Sequence, residues 1–257
     1  MWPFILFLLW GQSSYSITYY TRASGNWSVA SNWSTTGCGG AAAATTPGAG
    51  DIAVICGGYS IGVNVNATVA GINIQNGGVL RTGTSLLGAN KTLTITGTFI
   101  IANGGTYIHN NTQLASTTVF AGTESFAAAS IFQVNDWSGI ADMLITGCTS
   151  NFGNVNLNWD SGLSWWNNNG LGYTRTIAGT LTVSASCATY LDNTAGNKTF
   201  TIGALTINDG WLRFKQTGTG NLLINIAGAI SLTNASSLLY VMFGVNGDAT
   251  LNAASVS

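Results

Sequence analysis

A chain of 257 residues is long enough to bury a sizeable core, as one β domain or two smaller units. Only 6% of its residues are charged while 46% are hydrophobic, which excludes charge-driven disorder. A net charge of −1 with seven Lys plus Arg leaves little to neutralise phosphates, so neither nucleic acid nor polybasic membrane attachment is expected. The remaining residues are mostly Gly, Asn, Ser and Thr, a vocabulary poor in helix formers. Val, Ile, Leu and Thr favour strands, while Asn, Gly and Ser favour turns, so the expected class is all-β.

The chain opens with "MWPFILFLLW", an apolar run too short to cross a bilayer as a lone helix. It fits the apolar region of a secretory signal, with Ser14-Tyr15-Ser16 as a small-x-small cleavage site before Ile17. Its start has no Lys or Arg, in contrast to the usual signal. Residues 1–16 are therefore read as a signal peptide, leaving no transmembrane helix after cleavage and a secreted or cell-surface protein.

Residues 17–50 form the next unit, an N-terminal cap. Trp27 and Trp33 stand here among turn-forming residues, each preceded by Asn and followed by Ser. Two readings compete: an aromatic platform for a ligand, or a plug over the open end of a repetitive core. The repetitive character of the chain from residue 51 onward favours the plug. Four cysteines, Cys38, Cys56, Cys148 and Cys187, allow three pairings, and none of their spacings matches a zinc or redox motif. In an exported protein Cys38 and Cys56 would make a local disulfide, with free buried thiols as the alternative. Seven Asn-x-Ser/Thr sequons are what a chain this rich in Asn and Thr contains by composition.

Beyond the cap the sequence repeats itself. "VAGINIQNGGVL" (Val69–Leu80), "ITGTFIIANGGTY" (Ile95–Tyr107), "IAGTLTV" (Ile177–Val183), "IGALTINDGWL" (Ile202–Leu212) and "IAGAISLTNASSL" (Ile226–Leu238) share one pattern. An aliphatic residue leads into a Gly or Ala step and then into alternating apolar positions. The starts at 69 and 95 lie 26 apart and those at 177, 202 and 226 lie 25 and 24 apart, while the 82 between 95 and 177 accommodates three such periods. Period-2 alternation broken every few residues by Gly, Asn or Asp marks short strands, and a steady spacing near 25 marks a solenoid coil. Hairpin signals do not join the strands consistently, and Gly77-Gly78 and Gly104-Gly105 recur at matching places, as corners would. The expected fold is a right-handed parallel β-helix over 51–257, with inward aliphatic ladders, Asn or Thr ladders at corners, and an N-terminal cap holding Trp27 and Trp33. An irregular Trp/Asn-rich segment at about 136–170 interrupts it. The tail stops in strand-like sequence with no matching cap, so a fragment of a longer chain is expected.

Gly25-Asn26-Trp27-Ser28, Asn32-Trp33-Ser34, Asp51-Ile52-Ala53-Val54-Ile55, Gly58 and Gly77-Gly78-Val79-Leu80 carry a resemblance. This N-terminal portion resembles the opening of repetitive surface proteins of Bacteroidota. The likeness implies a parallel β-helix, export (often by type IX secretion) and an adhesin-like role at the cell surface.

Chemistry-bearing residues are few. His109 is the single histidine and reads as a lone surface or corner residue without a triad context. No His/Cys motif points to a metal, and no cofactor is expected. The eight Asp and Glu are scattered; Asp192 with Asp209, and Asp136 with Asp160, lie within about one coil of each other. The chain is read as not an enzyme. The most ligand-like segment is "SWWNNNG", where Trp159, Trp165, Trp166, Asn167 and Asn168 combine ring faces for sugar stacking with amides for hydroxyls. Its structural alternative is an insertion whose tryptophans fold back on the coil walls. Rows of Thr92, Thr94, Thr96 and Thr98, and of Thr199 and Thr201, raise an ice-facing wall as a further idea. The function expected is an exported adhesin-like structural and binding β-helix, with glycans or a host or neighbour-cell surface as partners. The second reading is a carbohydrate-binding domain of a polysaccharide-degrading system; a lyase, hydrolase or ice-binding protein ranks behind both.

Overall fold

A computed structural model describes residues 15–82, 91–111, 117–120, 122–137, 145–146, 151–158, 163–164, 173–184, 188–192, 196–215, 219–242 and 247–257. The segment 1–14, Cys148 and Cys187 lie outside them. The chain is a parallel β-solenoid with coils of roughly 25 residues and 61% strand. Among the described residues three sheets form its walls, with eight, ten and four strands. The ten-stranded wall runs through Gly25–Asn26, Ser60–Val63, Val79–Thr82, Thr106–Asn111, Ile131–Trp137, Asn154–Asn158, Tyr173–Val183, Lys198–Ile207, Leu222–Leu232 and Ala249–Val256. Pairing is parallel throughout this wall, each strand lying beside its counterpart one coil later. Within the irregular segment at 136–170, Asn154–Asn158 still pairs in register with both neighbours.

The Gly or Ala step of the repeats is where the wall bends. Pairing shifts register between Val69 and Gly71, Ile177 and Thr180, Ile202 and Leu205, and Ile226 and Ala229, which fall on that step each time. Stacked coils bring backbone against backbone there: a Cβ on Gly228 would sit 2.7 Å from the Gly203 carbonyl oxygen. Neither backbone can yield without breaking the ladder, so Gly228→Ala is expected to cost about 1–3 kcal/mol, read as a lower urea midpoint. A neutral midpoint would mean the corner relaxes. The Gly-Gly corners work differently. Gly77 and Gly104 adopt φ of 75° and 73°, the left-handed region that a side chain disfavours. The Gly58 N–H donates to the Gly77 carbonyl and the Gly77 N–H to that of Gly104, each at 3.0 Å, so the turns stack like the strands.

Alternation then sorts the side chains. Inward positions stack as ladders, for example Ile177–Ile202–Ile226 and Leu181–Leu205–Ile230, all buried. The middle of the core is aromatic: Phe99, Tyr107, Phe132 and Phe152 succeed one another with centroids 5.1 to 5.4 Å apart. Asparagines at the corners accept hydrogen bonds from the next coil. The Thr92 N–H donates to Asn66 Oδ1 at 3.0 Å, Ala129 N–H to Asn103 Oδ1 at 3.0 Å, and Thr180 N–H to Asn154 Oδ1 at 3.0 Å. Asn221 N–H donates to Asn197 Oδ1 at 2.9 Å, and Asn221 Oδ1 accepts from Asp248 N–H at 3.2 Å. Two of these acceptors, Asn66 and Asn197, belong to sequons, so the abundance of Asn has a structural use.

Residues 17–50 pack at one end of the stack. Thr18–Thr21 and Trp33–Ser34 close the eight-stranded sheet there, and Gly25–Asn26 closes the ten-stranded one. Both tryptophans point into the core, with Trp27 1% and Trp33 0% exposed. Their rings meet edge to face, 4.9 Å between centroids, and the Trp33 indole N–H donates to the Trp27 carbonyl at 2.9 Å. An exposed aromatic platform is therefore ruled out at this place. Cys38 and Cys56 form a disulfide with Cα atoms 5.9 Å apart. It closes a loop of 18 residues, so reduction is expected to remove about 3 kcal/mol from this end of the protein. Thermal melts with and without reductant check this; an unchanged melt would mean that the disulfide adds nothing.

Candidate functional site

Trp159, Trp165, Trp166, Asn167 and Asn168 lie outside the described residues. Their neighbours Leu163–Ser164 form the first strand of the four-stranded sheet, followed by Ala188–Asp192, Trp211–Lys215 and Leu238–Met242. Register aligns Ser164, Tyr190, Arg213 and Tyr240 across the sheet's four strands, and Ala188, Trp211 and Leu238 beside them.

The face of this sheet is set by alternation. Leu212 and Phe214 are fully buried in the core, so Trp211 and Arg213 project from the outer wall. The Arg213 guanidinium carbon lies 3.9 Å from the Trp211 ring centroid and 5.1 Å from that of Tyr240. The two rings are 6.1 Å apart at 88°. Cation–π attraction and the edge-to-face contact hold the three side chains as one preformed cluster. Leu238 joins it, 47% exposed. At the corner entering these strands, Ser236 Oγ donates to Asp209 Oδ1 at 2.6 Å, and Gly210 N–H donates to the same oxygen at 2.8 Å. A carboxylate and a hydroxyl thus stand at the corner just before the strands that carry the aromatic rings and the guanidinium. Trp211 was not among the candidates drawn from the sequence; its available signal was the alternation of Trp211 and Arg213 with apolar Leu212 and Phe214.

Other sequence candidates fall differently. Asp192 lies opposite Lys215, whereas Asp209 precedes Trp211. The backbone register therefore sets Asp192 beside the far end of the strand that begins just after Asp209. Asp160 lies outside the described residues. His109 is not at the surface: it is fully buried, with Nδ1 3.0 Å from Thr82 Oγ1 and 3.4 Å from the Tyr107 hydroxyl. It is inward because Tyr107, two residues earlier on the same strand, is inward. Burial lowers its pKa from 6.5 to about 4, so the ring is neutral at physiological pH. Thr174 and Thr176 pair with Thr199 and Thr201, giving a two-strand Thr row, but Leu223 and Asn225 come next in register and the row ends. Among the described residues no three His, Cys, Asp or Glu group together as metal ligands, and no helix is long and apolar enough to cross a membrane.

No family model, curated protein or solved structure matches this chain.

Proposed function

We propose that this chain is an exported, adhesin-like β-solenoid that works at a bacterial cell surface as a rigid, non-catalytic presenting wall. The observation that supports this reading is the use made of polar side chains. Asn66, Asn103, Asn154, Asn197 and Asn221 each accept a backbone N–H from the neighbouring coil. Continuous apolar ladders inside and amide ladders at the corners stiffen the stack, as a stalk requires. The sequence likeness to surface proteins of Bacteroidota and the apolar N-terminal run support export. Displaying the full chain on a non-adhesive bacterial host tests the reading. Attachment to glycan-coated or animal-cell surfaces, without release of sugar fragments, supports it. New reducing or unsaturated ends in the medium would overturn the non-catalytic part, and surface display without attachment would overturn the adhesive part.

A second reading, a carbohydrate-binding wall, is favoured by one observation: the cluster of Trp211, Arg213 and Tyr240 on the outer face of the four-stranded sheet.

A further inference from the structure

Resting on that second reading, we propose that the outer face of the four-stranded sheet is a binding site for an uncharged linear polysaccharide, with Trp211, Tyr240 and Arg213 as its contacts and Asp209 and Ser236 at its rim. Four features carry this. The first is geometry: Trp211–Lys215 and Leu238–Met242 are adjacent parallel strands, with Arg213 directly opposite Tyr240. Parallel strands repeat about every 4.8 Å along the solenoid axis, so an extended sugar chain lying along that axis meets one strand after another. The second is preorganisation. The Arg213 guanidinium packs 3.9 Å from the Trp211 ring and 5.1 Å from the Tyr240 ring, so the cluster is ordered before any ligand arrives.

The third is composition. One face of the Trp211 ring is covered by the Arg213 guanidinium, so the ring edges take the CH groups of a pyranose, and the exposed Leu238 extends the apolar strip. A guanidinium donates, while the Asp209 carboxylate and the Ser236 oxygen, whose proton goes to Asp209 at 2.6 Å, accept. A polyol is the ligand class that answers all of these at once. The fourth is charge. Arg213 on the strand and Asp209 at the corner before it carry opposite signs, in a chain with only 6% charged residues. An anionic polymer meets the Asp209 carboxylate and a polycation meets Arg213, whereas a neutral glycan is repelled by neither. A protein partner is the competing occupant, since Trp, Tyr and Arg also dominate protein interfaces. The mixed charge and small polar rim favour the sugar.

The test is affinity electrophoresis and isothermal titration of the full chain against soluble neutral β-glucan, galactomannan and xylan, with alginate and heparin as anionic probes. Wild type, Trp211→Ala, Tyr240→Ala and Arg213→Lys are compared with a control substitution on another wall, Thr199→Ala. Circular dichroism and the melting curve verify that each variant is folded, and Trp211→Phe keeps a ring should Trp211→Ala fail to fold. Retention by a neutral polymer, weakened roughly tenfold by Trp211→Ala and by Tyr240→Ala but not by Thr199→Ala, is the expected result. No retention of wild type by any polymer overturns the carbohydrate reading itself. Retention that survives Trp211→Ala and Tyr240→Ala leaves that reading standing and removes this site. Preference for alginate or heparin overturns the uncharged ligand. A wild-type dimer by light scattering that Trp211→Ala dissolves assigns the face to a second copy of the chain instead.

Discussion

Trp33→Ala is expected to destabilise the N-terminal end by about 3–5 kcal/mol, the usual range for emptying a buried aromatic site. Three losses coincide there. A fully buried ring disappears from the core, the edge-to-face contact with Trp27 at 4.9 Å goes with it, and the Trp27 carbonyl loses the indole donor at 2.9 Å. The neighbouring backbone cannot close the gap, because Ala43 N–H is tied to the Trp33 carbonyl at 2.8 Å and Trp27 N–H to that of Gly62 at 2.8 Å. In a solenoid each coil contacts only its neighbours, so the damage should be local. Amide exchange should accelerate in Thr18–Thr21 and Ile52–Ile55 and stay unchanged in Lys198–Ile207. Uniform acceleration along the chain, or a loss below about 1 kcal/mol, would deny that the tryptophans guard this end.

The second large effect is acid sensitivity from His109. Its native pKa is about 4 against 6.5 for a free histidine, because full burial disfavours the charged ring. Above pH 6.5 the ring is neutral in both native and unfolded chains, and stability is unaffected. Between pH 6.5 and 4 the unfolded chain takes up a proton that the native core refuses, so stability falls with pH. The total is on the order of 3 kcal/mol at about 1.36 kcal/mol per pK unit. Carboxylates also titrate at the lower end of this window, so the informative quantity is a difference. Urea unfolding of wild type should weaken between about pH 7.5 and about pH 4.5, and His109→Gln should be distinctly flatter, whatever its stability at neutral pH. Parallel profiles would place the acid sensitivity elsewhere.

Much of the fold was legible in the sequence, since a solenoid writes its period into the chain. The Gly or Ala step marked the wall's bend, and Gly77 and Gly104 marked the stacked corners, because backbone approach and positive φ leave few other residue choices. Trp27 and Trp33 were readable as buried only once a coil end was inferred for them to cover. His109 was misread through its polarity: the alternation from Tyr107 placed it inside, where Thr82 receives it. The outer cluster was harder to see. Arg213 meets Tyr240 in register 27 residues later, Asp192 meets Lys215 after 23, and coils of unequal length hide which outward residues align. The choice of Trp165 and Trp166 rested on local aromatic density, and both lie outside the described residues.

Coil stacking sets Arg213 directly beside Tyr240 on one outer wall. Disulfide trapping measures this most directly. With Cys148 and Cys187 replaced by Ser, the pair Arg213→Cys and Tyr240→Cys is oxidised mildly and the intact monomer is weighed and mapped. Opposed residues on neighbouring strands fall within the Cα separation a disulfide spans, about 4.4–6.8 Å, and a partner two residues along falls outside it. The register predicts rapid cross-linking of 213 with 240 and little in the offset pair Arg213→Cys with Leu238→Cys. Efficient trapping of the offset pair instead would mean a slipped register, and the outer wall of Trp211, Arg213 and Tyr240 would not exist.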